Sequence, residues 1–256
     1  MNKLGIVLLS PLAIGRLLVA VLFTFVLYLI VAGIDIFYKK KPQELLRAYM
    51  SYWCRNMLSI MGVKVHVEYE EKPDKPALIL SNHRSYIDIF INLAINPGRI
   101  IAKKEVASWP MLGRGIRIYD VLQIDRSSMN SRIENIRKME NVLLNNQSLI
   151  IYPEGTTHRG PGLGPIREST YRIASNNNFP VYPVAIEYKK PDDAWVGKDL
   201  FVPHFIRRAG VPQRHVGVKV GKSIQTTDNK ELKAYVEGFM QRETMRMREE
   251  FDSENR

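Results

Sequence analysis

Apolar and polar positions divide the chain into an apolar N-terminal stretch and a longer region of mixed patterns. Residues 17–34, LLVAVLFTFVLYLIVAGI, contain no charged side chain. As a helix they extend about 27 Å, close to the ~30 Å hydrocarbon core of a bilayer. A buried core helix of this length would show a polar stripe, and this stretch has none. The pattern predicts a membrane-embedded helical segment, with residues 1–41 as the anchor.

A cleaved signal peptide is the alternative interpretation of this stretch. Its apolar region would be shorter and a small-residue cleavage site would follow, whereas here Asp35 and the basic residues 39–41 follow. The basic residues predict that the chain beyond residue 38 stays on the cytoplasmic side, at the inner membrane if the source is bacterial. Residues 4–15 are also apolar, and we predict the first half of a helical hairpin there, with Pro11 and Gly15 as breaks.

Residues 42–62 are predicted to form a connecting helix whose spacing places Trp53 beside tyrosines and methionines. That face either lies in the membrane interface or packs on the following domain. Apolar runs and helical patterns then alternate. Strands are predicted at 63–68, 77–81, 99–102, 121–124, 148–152, 180–187 and 216–220, and helices at 85–96, 128–145, 168–176 and 228–251. This alternation predicts an α/β fold with a mixed, largely parallel sheet flanked by helices.

Composition narrows the class of partner. The chain has 256 residues, 37 Lys and Arg against 26 Asp and Glu, and a formal net charge of +11, which favours anionic partners. The single cysteine, Cys54, excludes an intrachain disulfide and a multi-cysteine zinc site. The basic residues are scattered rather than striped with aromatics, which argues against nucleic acid. We expect four of them, Arg84, Lys104, Arg114 and Arg117, to hold the domain on anionic lipid.

Candidate chemistry appears where the apolar run 77–80 ends, in Asn82-His83-Arg84-Ser85-Tyr86-Ile87-Asp88. His83 stands at a strand end, where open α/β sheets bind ligands. Asp88 in the next turn can hold one ring nitrogen protonated and leave the other free as a base. Asp88 can instead be the capping-box partner of a helix that Ser85 caps. The spacing leaves both interpretations open.

Three further blocks follow in order. Gln123 to Ser128, QIDRSS, ends one strand, Ile150 to Gly160, IIYPEGTTHRG, ends another, and Pro183 lies inside the apolar run FPVYPVAIEY. Together with NHx4D these blocks resemble the lysophospholipid acyltransferase family, which includes the 1-acylglycerol-3-phosphate acyltransferases. The resemblance covers roughly residues 77 to 190 and implies an acyltransferase domain over 63–256. Three features depart from the family pattern and affect the prediction of the acceptor's headgroup. They are Asp120 in place of a glycine, Thr157-His158 after PEGT, and a loose match at Ile166 to Ser169.

The resemblance implies a reaction and roles for named residues. A fatty acyl group would move from acyl-coenzyme A or acyl carrier protein to the hydroxyl of a lysophospholipid, with no bound cofactor, no metal and no acyl-enzyme. His83 would take the hydroxyl proton and Asp88 would orient the ring. Arg126 and Lys103 would bind the acceptor phosphate. Glu154 would accept a hydrogen bond from the glycerol, and Asn82, Gly155 and Thr156 would also contact the substrate.

The resemblance favours 1-acylglycerol-3-phosphate as acceptor, and other acceptors remain open. The same chemistry could serve a lyso-ornithine lipid, another lysophospholipid or glycerol 3-phosphate. A non-catalytic basic protein that binds membranes or nucleic acid would explain the charge and the anchor, but not the pairing of His83 with Asp88.

Overall fold

The computed structural model describes residues 3–37, 43–103, 121–124, 128–197 and 199–254. Two long helices come first, α1 (Lys3–Phe37) and α2 (Gln43–Ile60). The prediction of breaks at Pro11 and Gly15 is wrong, because α1 continues through both. A proline removes one backbone hydrogen bond, and a helix can tolerate that loss. α1 packs against α2, where Trp53 Nε1 donates to Thr24 Oγ1 at 3.0 Å.

A seven-stranded sheet forms the centre of the domain, in the order β1-β7-β6-β2-β5-β3-β4. β6, β2, β5, β3 and β4 run parallel, β7 is antiparallel to β6, and β1 is parallel to β7. The strands are β1 (Val63–Tyr69), β2 (Leu78–Ser81), β3 (Arg99–Lys103), β4 (Leu122–Ile124), β5 (Leu149–Ile151), β6 (Val181–Tyr188) and β7 (Arg214–Val220). This arrangement confirms the predicted mixed, largely parallel sheet.

Helices cover both faces of the sheet, as its sequence requires. β2 and β6 are buried along their whole length, because apolar residues occupy both faces of each strand. On one face Cys54 and Leu58 of α2 pack with α3. On the other face three helices cover the sheet. In the described ranges, the α-helices after α2 are α3 (Ile87–Ile95), α4 (Met129–Leu144), α5 (Ser169–Asn177), α6 (Phe201–Ala209) and α7 (Asn229–Ser253).

Helix α6 has no counterpart among the predicted elements. It is short and carries Pro203 in its first turn, a position where proline costs no helical hydrogen bond. Phe201, Phe205 and Ala209 recur at helical spacing, but nine residues give too short a pattern to identify a helix from the sequence. Its buried side chains include the polar His204 and Arg208, and Arg208 Nε donates to the buried Asp193 Oδ1 at 2.9 Å.

One arginine fixes α1 to the domain. Arg16 Nη1 donates to the carbonyls of Ala209 and Val211 at 2.7 and 2.6 Å, and Nη2 donates to that of Pro212 at 2.6 Å. Gly62, at φ +69°, makes room for this contact, because a Cβ there would lie 2.2 Å from Arg16 Nη2. Within the described residues, Pro11–Val31 of α1 is the one helical stretch long and apolar enough to cross a membrane.

The lone thiol lies in the interior. Cys54 of α2 is fully buried, and burial raises its pKa to about 12. Because the thiolate is the reactive form, we expect native protein in mildly alkaline buffer to resist maleimide, while protein unfolded in guanidinium labels readily. Mass spectrometry of the two samples measures this difference. Comparable labelling rates in both would contradict the buried position.

Candidate active site

The predicted catalytic pair lies in the turn between β2 and α3. His83 follows the carboxyl end of β2, which lies between β6 and β5, and Asp88 lies in the first turn of α3. His83 Nδ1 is 2.8 Å from Asp88 Oδ2, the side chain of His83 is 17% exposed, and Asp88 is fully buried. A carboxylate at Nδ1 holds a proton there and leaves Nε2 as the ring's proton acceptor. The sheet therefore brings together the two groups that a histidine general base requires.

Asp88 also organises the start of α3. Its Oδ2 accepts the backbone N–H of Arg84 at 2.5 Å and that of Ser85 at 2.8 Å. The prediction that Ser85 caps the helix is wrong, because α3 begins at Ile87 after an N-cap residue that makes no side-chain cap. The buried Ser85 Oγ has no hydrogen-bond partner among the residues that the structure describes. Of the capping box only the bond from the Ser85 amide to Asp88 is present, and the same carboxylate orients the imidazole.

Tyr188 is a further partner of the pair. It ends β6, is 1% exposed, and its hydroxyl donates to Asp88 Oδ1 at 2.6 Å. Burial, and then the neighbouring charge of Asp88, raise the pKa of Tyr188 well above its usual range, so the phenol stays protonated and remains a donor. Asp88 thus accepts hydrogen bonds from an imidazole, two amides and a phenol.

Replacing Tyr188 with Phe tests this contact. We expect kcat of the acyl transfer assay to fall about tenfold with little change in KM, since a hydrogen bond to a charged group contributes about 1.5–3 kcal/mol. The reason is that Asp88 would hold the imidazole less firmly during proton transfer. Steady-state kinetics provides the measurement. An unchanged kcat in a folded variant would show that the Tyr188 hydroxyl is not needed to position the pair.

An aromatic ring supports the imidazole on one face. The rings of His83 and Tyr152 stack with centroids 4.1 Å apart and an interplanar angle of 18°. Tyr152 is held by Asn92, whose amide nitrogen donates to the phenol oxygen at 3.1 Å. Burial raises the pKa of Tyr152 well above its usual range, which keeps this ring neutral beside the imidazole. The stacking restricts His83 to one orientation, with Nδ1 towards Asp88.

Glu154, predicted to contact the glycerol, ties the loop after β5 to the catalytic turn. Its Oε1 accepts the backbone N–H of His83 at 2.8 Å, and its Oε2 accepts that of Gly164 at 2.8 Å. The backbone carbonyl of His83 in turn accepts the N–H of His158 at 2.8 Å. Burial raises the pKa of Glu154, partly offset by these amides. The contacts in the structure make Glu154 a support of the His83 backbone.

Gly155 and Thr156, which follow Glu154, differ in their contacts and in their exposure. Gly155 adopts φ +67°, and a Cβ there would lie 2.9 Å from the guanidinium of Arg167. Its N–H donates to the carbonyl of Tyr152 at 3.0 Å and closes the turn, and its predicted contact with substrate stays a prediction. Thr156 is exposed. Its predicted contact with substrate stays a prediction.

The expectation that Arg84 binds lipid is wrong, because the side chain is fully buried. Its Nη2 donates to Glu187 Oε2 at 2.9 Å and to the carbonyl of Gly162 at 2.7 Å, and its Nη1 donates to the carbonyl of His158 at 3.1 Å. Arg248 also contacts Glu187. A charged group next to His83 is therefore part of an internal network that fixes the loop over residues 158–162.

Three more residues were predicted to contact the substrate: Asn82, Lys103 and Arg126. Of these three side chains, the structure describes that of Asn82. Both ends of the buried Asn82 amide bond the backbone of Ile186, at 2.9 and 2.7 Å, and thereby join β2 to β6.

Lys103 ends β3, and β4 ends at Ile124. These strands run parallel to β2 through β5, so their carboxyl ends lie on the same edge as His83. The side chain of Lys103 is outside the described part, as are Arg126, Lys104, Arg114 and Arg117, and their roles stay predictions.

Several residues of the site were not identified from the sequence. Four of them lie within one or two contacts of the His83–Asp88 pair: Tyr152, Tyr188, Glu187 and Asn92. The only signal for them was a charged residue, Glu187, inside an otherwise apolar strand. In the part of the chain that the structure describes, no group of three or more His, Cys, Asp or Glu side chains could hold a metal ion.

Comparisons with known proteins address the same region. Residues 62–187 match the family model described as Acyltransferase. The chain is 33% identical over 135 residues to a 1-acyl-sn-glycerol-3-phosphate acyltransferase of Cocos nucifera, covering 52% of this chain and 44% of that protein. It is 32% identical over 161 residues to a lyso-ornithine lipid O-acyltransferase of Pseudomonas aeruginosa, covering 61% of this chain and 62% of that protein. The matches therefore span about half of the length of these relatives.

A solved structure extends the likeness to the whole fold. The crystal structure of the 1-acyl-sn-glycerophosphate (LPA) acyltransferase PlsC from Thermotoga maritima superposes with a TM-score of 0.65 at 23% identity, covering 91% of this chain and 96% of that one. At this identity the likeness shows the shared fold, including the placement of helices on a mixed sheet. Together with the family match, these findings confirm the resemblance that the NHx4D and PEGT blocks indicated, and residues 62–187 carry the match to the acyltransferase family.

Proposed function

We propose that this protein is an O-acyltransferase that moves a fatty acyl group from a thioester to the free hydroxyl of a lysophospholipid, with 1-acylglycerol-3-phosphate as the favoured acceptor. The observation that carries the proposal is the His83–Asp88 pair, 2.8 Å apart at the carboxyl edge of a family-matched sheet. The imidazole is the partly exposed member of the pair and the carboxylate is the buried one. This is the arrangement that a base acting on an external hydroxyl needs.

The chemistry follows from the two nitrogens of His83. Nε2 takes the proton of the acceptor hydroxyl while the oxygen attacks the thioester carbonyl, and Asp88 stabilises the imidazolium that forms. The tetrahedral intermediate then collapses, the carbon–sulfur bond breaks, and the imidazolium returns the proton to the leaving sulfur. The products are an ester and a free thiol. The thioester is already activated, so the acyl group passes directly to the acceptor.

The acceptor is oriented by its anionic headgroup. Arg126 and Lys103 are the candidates for the phosphate, through a bidentate guanidinium contact and a point charge respectively. The parallel strands that precede them end at the edge that carries His83. Glu154 contributes by fixing the His83 backbone, and Thr156, which is exposed beside it, is the neighbour available to the glycerol.

A lyso-ornithine lipid is the second candidate acceptor. Three of the similar proteins are named lyso-ornithine lipid O-acyltransferases, from Pseudomonas aeruginosa, Rhizobium meliloti and Brucella abortus, and their matches extend over 62%, 65% and 77% of those proteins. The chemistry at His83 is the same for either acceptor. The two differ in the headgroup, since a phosphate is replaced by an amino acid with a carboxylate and an amine.

The protein is proposed to work at the cytoplasmic face of a membrane, with α1 as its anchor. The Pro11–Val31 stretch supports this placement, because its apolar side chains are largely exposed. The donor is acyl-coenzyme A or acyl carrier protein, which are both water-soluble and reach this side. A non-catalytic basic membrane protein would share the anchor but would have no use for the His83–Asp88 pair.

An acceptor panel tests the proposal. Purified full-length protein is incubated with labelled acyl-coenzyme A or acyl carrier protein and, in separate reactions, with 1-acylglycerol-3-phosphate, a lyso-ornithine lipid, another lysophospholipid or glycerol 3-phosphate. Mass spectrometry of the lipids identifies the acylated product, and release of free thiol reports turnover. We expect phosphatidic acid to form fastest. Faster formation of the ornithine lipid would support the second candidate, and no product from any acceptor would contradict the proposed activity.

A further inference from the structure

A short apolar segment at the start of α6 is exposed. Leu200, Phe201 and Val202 are 72%, 39% and 60% exposed, and Pro203 after them is also exposed. Single exposed apolar side chains are ordinary on soluble proteins, but consecutive ones form a patch that usually contacts a partner. We name residues 200–203 the LFVP segment.

The LFVP segment lies on a helix that is fixed to α1. Arg16 of α1 donates to the carbonyls of Ala209 and Val211, at the other end of α6, at 2.7 and 2.6 Å. The segment is therefore about 13 Å along α6 from this contact. Leu17, Leu18 and Leu22 of α1, in the candidate membrane-crossing stretch, are 45%, 66% and 63% exposed. Two exposed apolar surfaces thus belong to one rigid unit, and a bilayer that surrounds α1 is the nearest apolar phase.

Aromatic contacts connect the same segment to the catalytic turn. The ring of Phe201 meets that of Tyr86 edge to face, with centroids 5.0 Å apart. Trp195 packs on both rings, at 5.9 Å from Tyr86 and 6.1 Å from Phe201. Tyr86 directly precedes α3 and lies in the turn between His83 and Asp88. Trp and Tyr favour the headgroup level of a membrane, which suits this cluster to that depth.

The charges beside the segment fit a lipid surface. Asp199 immediately precedes Leu200, and an isolated carboxylate there would repel anionic lipid. Arg159 lies 3.8 Å from Asp199 and offsets its charge. The protein as a whole is strongly basic, which favours contact with an anionic lipid surface.

We propose that the LFVP segment inserts among lipid headgroups and acyl chains, and that it holds the His83 turn against the bilayer that supplies the acceptor. Contact with the bilayer follows from the geometry of α1 and α6. The identity of the arriving lipid rests on the proposed function. A lysophospholipid that rises from the bilayer beside Phe201 then reaches the imidazole without crossing open water.

A single fluorescent label reports the contact directly. An environment-sensitive fluorophore is attached to full-length Val202→Cys protein, since the buried Cys54 stays unlabelled, and Leu144→Cys is the matched control. Leu144 is 64% exposed on α4, which packs on the opposite face of the sheet. Both proteins are reconstituted in vesicles of phosphatidylethanolamine and phosphatidylglycerol, with or without nitroxide-labelled lipid. We expect blue-shifted emission and several-fold stronger nitroxide quenching at position 202 than at position 144.

Two outcomes of this measurement would overturn the inference. One is water-like emission with equally weak quenching at both positions. The other is blue-shifted emission at position 202 that lipid nitroxide does not quench and that disappears on dilution of the protein in the vesicles. The second result would mean that another copy of the chain covers the LFVP segment.

An activity comparison tests the consequence for catalysis. We expect Leu200→Ser/Val202→Ser to lower kcat/KM about tenfold for an acceptor embedded in vesicles, and to leave the rate with a short-chain, monomeric acceptor within about twofold. Ile133→Ser/Leu144→Ser, on exposed positions of α4, is the matched control and should change neither rate. Equal loss with both acceptors would contradict docking. If the parent protein acylates no acceptor, the proposed function fails, while the quenching result still decides the membrane contact.

Discussion

The His83→Gln variant should transfer acyl groups about 10²–10⁴ times more slowly than the parent protein, because it lacks the base that we propose takes the acceptor proton. Glutamine keeps the size and polarity of the side chain but cannot accept and return a proton. The His83 ring stacks on Tyr152 and is hydrogen-bonded to Asp88, and the fold depends little on this partly exposed ring. We therefore expect the fold to persist. Release of free thiol from acyl-coenzyme A, with acceptor present, measures the rate.

Two further variants make this result specific. His66→Gln changes an exposed histidine that stacks on His215 at the far edge of the sheet, and it should retain the parental rate within about twofold. His83→Gln/Asp88→Asn should be no slower than His83→Gln alone, because groups that act as one unit are not additive. Parental activity in His83→Gln, or a double variant far slower than the single one, would contradict the assignment of His83 as the base held by Asp88.

Replacing Arg84 with Met should lower the free energy of unfolding by about 3–5 kcal/mol, the usual effect of removing one partner of a buried ion pair. The side chains of Arg84 and Glu187 are 0% and 1% exposed. Methionine occupies similar space but leaves the carbonyls of His158 and Gly162 without this donor, and it removes one of the two arginines that contact Glu187 among the described residues. Denaturant unfolding in detergent, followed by circular dichroism, provides the measurement.

An exposed ion pair provides the matched control for Arg84. Lys138 lies 2.7 Å from Glu134 on α4, and the two side chains are 44% and 65% exposed. Lys138→Met should change the free energy of unfolding by less than about 0.5 kcal/mol, since such pairs contribute little in water. If the two variants lose equal stability, burial does not determine the strength of the Arg84 contact. Arg84→Lys, which keeps the charge but loses the planar fork, should fall between them.

The elements of the fold were predictable where a local pattern determined them. β2 and β6 are continuous apolar runs, and α4 has regular apolar spacing, so each was identified before its neighbours were known. The order of the strands depends on tertiary pairing and could not be predicted. Nothing local indicates that β7 lies between β1 and β6 and runs antiparallel to β6. Helix α6 was not predicted because its nine residues give too short an apolar pattern to identify a helix.

The residues of the candidate site also fall into two groups: those that a local motif indicated and those that only tertiary pairing brings together. His83 and Asp88 are neighbours along the chain, so their spacing was enough to indicate a pair. Tyr188 contacts Asp88 across 100 positions, and Glu187 contacts Arg84 across 103. Those contacts exist only because β6 pairs with β2, which no short motif encodes. The sequence also suggested a surface role for Arg84 from its charge, whereas its ion pair with Glu187 explains its burial.

The Arg16 contact has a consequence for how the protein adapts to different membranes. Backbone carbonyls of residues 209, 211 and 212 hold the guanidinium, so α1 cannot slide or turn relative to the domain without losing all three bonds. For a bilayer that surrounds α1, the distance from the lipid surface to the His83 imidazole is then fixed by the structure. A thicker or thinner membrane would therefore change how lipid packs around α1, and not where the imidazole lies relative to that helix.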